Sequence, residues 1–290
     1  MICTLCPRNC RAERTPDLSG GVCRMPETPV AARAMLHLWE EPCLTGGHGA
    51  GTIFFSGCNL RCAYCQNRPI SQEGVGKPLS VPELREVFRE LIVQGAACLD
   101  LVTPTHFTPA ILEALGDEPW PVPVVWNCGG YEKPETLRLL EGRVQVFLPD
   151  LKYALPRPAE RYSAASDYFD FAAPAILEMF RQTGPYHIEN GLLKSGVLIR
   201  HLLLPGELEN TRRVIDWVAA NFRPGDVLFS LMSQYTPQPG ASGTLARHVT
   251  RAEYRAAIQY MVNCGITDGY TQERTSAKEE YTPYFNLSGL

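Results

Sequence analysis

Gly51-Thr-Ile-Phe-Phe-Ser56, followed at once by Gly57-Cys58-Asn-Leu-Arg-Cys62-Ala-Tyr64-Cys65-Gln-Asn67, decides how the rest of the chain is read. The first half is a short apolar run stopped by a glycine, the pattern of a buried strand. The second half sets three cysteines at Cys-x3-Cys-x2-Cys spacing. Thiolates are soft ligands that suit iron–sulfur clusters and zinc. Three of them can wrap three corners of a cubane [4Fe–4S] cluster and leave its fourth iron open to a substrate or cofactor. Zinc knuckles favour cysteine pairs split by a long spacer, which this run is not. The spacing therefore points to an open-site cluster.

Downstream of this run the pattern alternates. Ser80-Val-Pro-Glu83 offers a capping box, and Leu84, Val87, Phe88, Leu91 and Ile92 follow at helical spacing before Gly95. Further strands are expected at Ala97–Val102, Val122–Asn127, Val144–Leu148, Val197–Leu204, Val227–Leu231 and Asp268–Gln272. Helices are expected at Pro109–Leu115, Pro134–Leu140, Ala159–Arg181, Glu207–Asn221 and Arg251–Asn263. Strands separated by helix-length segments imply βαβ units around a parallel sheet covered on both faces. With no dinucleotide glycine fingerprint, this fits an α/β TIM-like barrel of (β/α)6 type, partial or near-complete, better than an open doubly wound sheet. Residues 1–48 lack periodicity and read as a Cys-rich N-terminal extension, leaving the barrel to residues 49–290.

Composition bounds the function. The net charge is −4 and no long Lys/Arg run occurs, which argues against nucleic-acid binding. Every apolar stretch is interrupted before the ~18–20 residues that a membrane span needs. The N-terminus has no charged start and apolar run of a signal peptide, so a cytoplasmic location is expected. Eleven cysteines in a reducing compartment point to metal or redox chemistry rather than disulfides. Four of them, Cys3, Cys6, Cys10 and Cys23, form a second group. Four thiolates can close a tetrahedral site, either structural zinc or an electron-relay cluster; the alternative is chance clustering. Cys43, Cys98, Cys128 and Cys264 read as small buried hydrophobes.

In βα barrels the chemistry sits at the C-terminal ends of the strands. Besides the cysteine triplet, those ends carry Thr103, Thr105 and His106, then Asn127, then Asp150 and Lys152. Gln234 and Tyr235, and lastly Gln272 and Glu273, complete the expected mouth as substrate-side candidates. Asp150 and Lys152 are two residues apart and can share a face, as ligand contacts or as a rim ion pair. Arg200 and His201 must point to opposite faces of an apolar strand. A buried arginine needs an anion. His106 could work as an acid–base group, since an imidazole titrates near neutral pH, or could be structural.

The triplet, with Tyr64 before its last cysteine, resembles the cluster motif of the radical S-adenosylmethionine superfamily. Leu-Val-Thr-Pro-Thr-His106, Trp-Asn-Cys-Gly-Gly-Tyr131, Leu-Pro-Asp-Leu-Lys-Tyr153, Leu-Ile-Arg-His-Leu-Leu-Leu-Pro-Gly206 and Leu-Met-Ser-Gln-Tyr-Thr-Pro237 are similar to its pyruvate formate-lyase-activating-enzyme-like branch. The resemblance implies that S-adenosylmethionine chelates the open iron and is cleaved reductively to a 5′-deoxyadenosyl radical, which abstracts hydrogen. It implies adenine near Tyr64, cofactor contacts from Asp150, Lys152 and Arg200, a flavodoxin or ferredoxin donor, and a glycyl-radical protein as substrate. Thr103, Thr105 and Asn127 are the further cofactor candidates, since Thr103-Pro-Thr-His106 stands where most members carry Gly-Gly-Glu. The other readings are a maturase or small-molecule-modifying enzyme of the same superfamily, and a non-catalytic metal-binding scaffold for protein interactions.

Overall fold

The structure is a computed structural model that describes residues 2–272 and 283–290. Its centre is one large sheet. In chain order the strands are β1 (Val30–His37), β2 (Ala50–Phe55), β3 (Lys77–Pro78), β4 (Leu99–Val102) and β5 (Val124–Cys128). They continue with β6 (Val146–Pro149), β7 (His187–Glu189), β8 (Leu192–Leu202), β9 (Leu228–Met232) and β10 (Gly269–Thr271). The order across the sheet is β10-β9-β8-β6-β5-β4-β2-β1-β3, with β7 pairing β8. From β2 to β10 the main path is parallel, whereas β1 runs antiparallel to β2 and β3.

Strands β2, β5 and β6 are buried at every position, as continuous apolar runs must be when helices cover one face and a packed interior fills the other. Trp126, Phe55, Phe107 and Phe147 are fully buried, and each such side chain contributes about 1.5–3 kcal/mol. The crossover helices begin where the caps dictate. Ser80 and Glu83 form the expected capping box of helix Val81–Val93, and Thr250 and Glu253 form another at helix Arg251–Asn263.

Two differences from the sequence reading have physical causes. Regular structure starts at Val30, inside the supposed extension, because β1 alternates only weakly while pairing β2 from Ala31↔Phe55 to His37↔Ala50. The single helix expected over Ala159–Arg181 is two, Pro156–Ser163 and Tyr168–Thr183, split where Ala164 turns left-handed (φ 45°). Among the described residues the sheet is open, as a partial barrel allows: β10 lies at one end, β1 and β3 at the other, and no pairing joins them.

Candidate active site

The cysteine loop leaves the C-terminal end of β2. Gly57 makes the turn at φ 81°, and a Cβ there would lie 2.3 Å from Met25 Cγ and 2.8 Å from the Cys23 carbonyl oxygen. Only glycine fits so close an approach. Cys58, Cys62 and Cys65 then line one cavity of about 430 Å³, within the range of ligand-binding pockets.

Each of the three sulfurs accepts a hydrogen bond. The Leu60 N–H donates to Cys58 Sγ (3.4 Å), the Ser163 hydroxyl to Cys62 Sγ (3.0 Å), and the Ser71 hydroxyl to Cys65 Sγ (3.3 Å). Burial, with the neighbouring Cys62 adding to it, pushes the Cys58 thiol up to about 12 and the Cys65 thiol upward as well. Donors aimed at sulfur suit anionic ligands, and a bound cation would offset the burial that raises Cys58 and Cys65. No three Cys, His, Asp or Glu side chains among the described residues are placed to hold a single metal ion. The three cysteines share one cavity.

A charged layer lines the same cavity. Arg200, on β8, donates to Asp150 (3.0 Å), Glu40 (3.0 Å) and Asn127 (2.7 Å). Lys152 pairs with the other Asp150 oxygen. Burial pushes the Asp150 carboxyl up, but Lys152 and Arg200 together outweigh it and hold the group below the ordinary carboxylate range. Behind this layer Asp100 is fully buried, hydrogen-bonded to Thr52 (3.1 Å); burial, then the Glu40 charge, drives its carboxyl upward. Tyr168 fixes the Asp150 segment from below: its hydroxyl donates to the Asp150 carbonyl (2.6 Å) and accepts from the Lys152 N–H (3.0 Å).

The cavity also takes in Tyr64, Thr103, Asn127 and Gln234. Thr103 holds φ 60°, a strained position for a β-branched residue, with its N–H bound to the Asn127 carbonyl (2.8 Å). Three sequence candidates face elsewhere. His106 is 3% exposed, with Nε2 on the Ser56 carbonyl oxygen (2.7 Å), and burial lowers its pKa to about 3. It is a neutral packed histidine and not a substrate-facing acid–base group. Thr105 donates to the buried Glu132 (2.6 Å), and Tyr235 donates to the Leu245 carbonyl (2.6 Å); neither lines the cavity. Gln272 donates to Gln234 (2.9 Å), while Glu273 lies outside the described residues. His201 points away from the cavity, between the Leu151 carbonyl (2.6 Å) and Thr211 (2.9 Å).

Glu40 is the residue that sequence reasoning missed. It follows β1 in a loop without periodicity, and nothing in its spacing marks it. Its carboxylate holds Arg200 and accepts from the Asn127 amide (3.2 Å). Of the N-terminal thiols, Cys3 accepts from the buried Arg14 (3.3 Å), and Cys6 is pushed up to about 12 by burial.

The chain is 30% identical over 269 residues to the uncharacterized protein MJ0674 of Methanocaldococcus jannaschii, covering 89% of this chain and 73% of that one. It belongs to the MJ0674 family. No protein-family model matches. Among solved structures the fold is shared with Streptococcus suis SuiB, at a TM-score of 0.51 and 11% identity. SuiB has been solved bound to S-adenosylmethionine and bound to its precursor peptide SuiA, each at a TM-score of 0.50. The matches cover 75–77% of this chain but only 47–48% of SuiB, so the chain spans about half the length of that protein. No helix among the described residues is long and apolar enough to cross a membrane.

Proposed function

We propose that this protein is a radical S-adenosylmethionine enzyme. The observation that carries the reading is one cavity lined by two chemically distinct groups: three hydrogen-bonded thiols, and the Asp150–Lys152–Arg200–Glu40 layer. Cys58, Cys62 and Cys65 would hold the [4Fe–4S] cluster. When bound, the cluster supplies the electron that cleaves the sulfonium of S-adenosylmethionine and yields a 5′-deoxyadenosyl radical able to take hydrogen from a substrate.

The chain's own residues bind and orient. Arg200 offers a fixed guanidinium to the methionine carboxylate, and Glu40 and Asn127 hold that guanidinium in place as positioning residues. Lys152 keeps Asp150 ionised near the cofactor's positive charge. Tyr64, whose hydroxyl accepts from Tyr153 (2.9 Å), presents a buried aromatic wall beside the sulfurs. Thr103 and Gln234 give hydrogen-bonding edges to the remaining wall.

The finer proposal, that the substrate is a glycyl-radical protein and the donor a flavodoxin or ferredoxin, follows the activating-enzyme resemblance of the cysteine loop and of Asp150-Leu-Lys152. The test is anaerobic reconstitution with iron and sulfide, addition of dithionite and S-adenosylmethionine, and measurement of 5′-deoxyadenosine. Product at above-background rate is expected. Its absence from protein with intact cluster absorbance overturns the enzymatic reading.

A further inference from the structure

The sheet is open between β10 and β1, and the chain returns to that gap. Residues 283–290 lie along β1: the Leu287 N–H donates to the Ala32 carbonyl (3.0 Å), and the Ala34 N–H to the Ser288 carbonyl (3.0 Å). Arg33 donates to the Tyr284 carbonyl (2.5 Å), and Lys77 to the Leu290 carbonyl oxygen (3.0 Å). Phe285 sets its ring edge-on to Phe54, with centroids 5.6 Å apart, and joins a small cluster with Ala32 and Ile70. Phe54 and Pro283 both line the candidate active cavity. Pro283 is therefore part of the cavity's side wall, and residues 284–290 fasten it to β1.

It is a weakly held part. Every hydrogen bond given above goes to or from its backbone, and its apolar contacts come from two partly buried side chains, Phe285 and Leu290. Tyr284 is 87% exposed and Leu287 41% exposed. Leu287 also sits at φ 64°, a region that disfavours leucine, so docking stores strain that release would recover. Few apolar contacts and solvent-facing backbone bonds mark the low end of local stability. The wall it joins is different in kind, since β2 beneath Phe285 is buried throughout.

We propose that residues 283–290 form a removable strap that closes the side of the cavity, and that its release admits molecules too large for the closed opening. The inference rests on the reading of the cavity as an active site. In the strap Gly289 has φ 76°, and a Cβ there would lie 2.1 Å from the Ala34 carbonyl oxygen, so Gly289→Ala should unseat the strap without touching any cavity residue. Phe285→Ala removes one of the two apolar side chains. Leu287→Asn, better suited to positive φ, should seat the strap more firmly.

Two measurements decide the proposal. In the wild-type protein the Ala34 and Leu287 amides should exchange hydrogen at least roughly a hundredfold faster than the Leu101 amide in the core. In the iron-loaded protein a bulky anionic chelator, bathophenanthroline disulfonate, should remove iron several-fold faster from Gly289→Ala and Phe285→Ala, and more slowly from Leu287→Asn. Melting temperatures close to wild type would show that the fold is intact. Exchange of Ala34 at the core rate overturns the proposal, and so do unchanged chelation rates in both loosening variants. If wild-type protein takes up no iron, the radical-enzyme reading fails, while amide exchange still judges the strap by itself.

Discussion

The chain carries two groups of cysteines that look alike on paper, and the fold treats them differently. Cys58, Cys62 and Cys65 leave the end of a fully buried strand, share one cavity, and each accepts a hydrogen bond from a fixed donor. Cys3, Cys6, Cys10 and Cys23 sit in an irregular segment where Cys10 is exposed and Cys3 is buried against Arg14. The two groups are neighbours, since the Gly57 turn abuts the Cys23 carbonyl. What separates them is the scaffold. A strand end facing a cavity gives all three thiols oriented donors, whereas the N-terminal segment buries Cys3 against Arg14 and leaves Cys10 exposed.

The comparison can be broken most sharply at the first group. Replacing Cys58, Cys62 and Cys65 together by alanine should abolish iron binding and 5′-deoxyadenosine formation in the reconstituted protein; iron retained at wild-type stoichiometry would shift the chemistry to the N-terminal thiols. Next in size is the charged wall. Arg200→Met should weaken S-adenosylmethionine binding roughly 100-fold and Glu40→Gln roughly tenfold, as expected when a buried charge loses its partner. Isothermal titration with the iron-loaded protein reads both, and equal affinities would mean that this wall does not face the cofactor. The smallest effect is expected from serine at Cys3, Cys6, Cys10 and Cys23 together. Iron content should hold, with a loss of about 1–3 kcal/mol of stability by denaturant unfolding. A halved iron count would make the two groups equivalent after all.

Much of this arrangement was legible in advance. The alternation of strands and helices follows from apolar runs such as Val122–Asn127, which the fold makes strand Val124–Cys128, and the helix expected at Arg251–Asn263 has those bounds. Arg200 follows from alternation within β8, because a strand fixes which side chains share a face, while the loop cysteines, Asp150 and Lys152 follow from their spacing just past β2 and β6. Side-chain direction after a strand ends is another matter. Thr103 turns left-handed, and the next residues enter a short 3₁₀ turn, Thr105–Phe107, that takes Thr105 and His106 away from the cavity. No periodicity announces such a turn. Glu40 was invisible for a related reason: its role is set by contacts with Asn127 and Arg200, which lie 87 and 160 residues away.

The way the N-terminal segment is tied down also bears on how the molecule is made. Arg8 bonds to the Asn59 carbonyl (2.7 Å) and to the Ser163 carbonyl (2.7 Å). Arg14 bonds to the His106 carbonyl (2.9 Å), Lys133 to the Thr4 carbonyl (2.9 Å), and Thr136 to the Leu5 carbonyl (2.7 Å). Every one of these partners is translated later than the segment it fastens. At about 5–20 residues per second, the roughly 140 residues between Cys23 and Ala164 take on the order of ten to thirty seconds to synthesise. During that interval Cys3, Cys6, Cys10 and Cys23 lack part of the docking surface that the folded protein gives their segment.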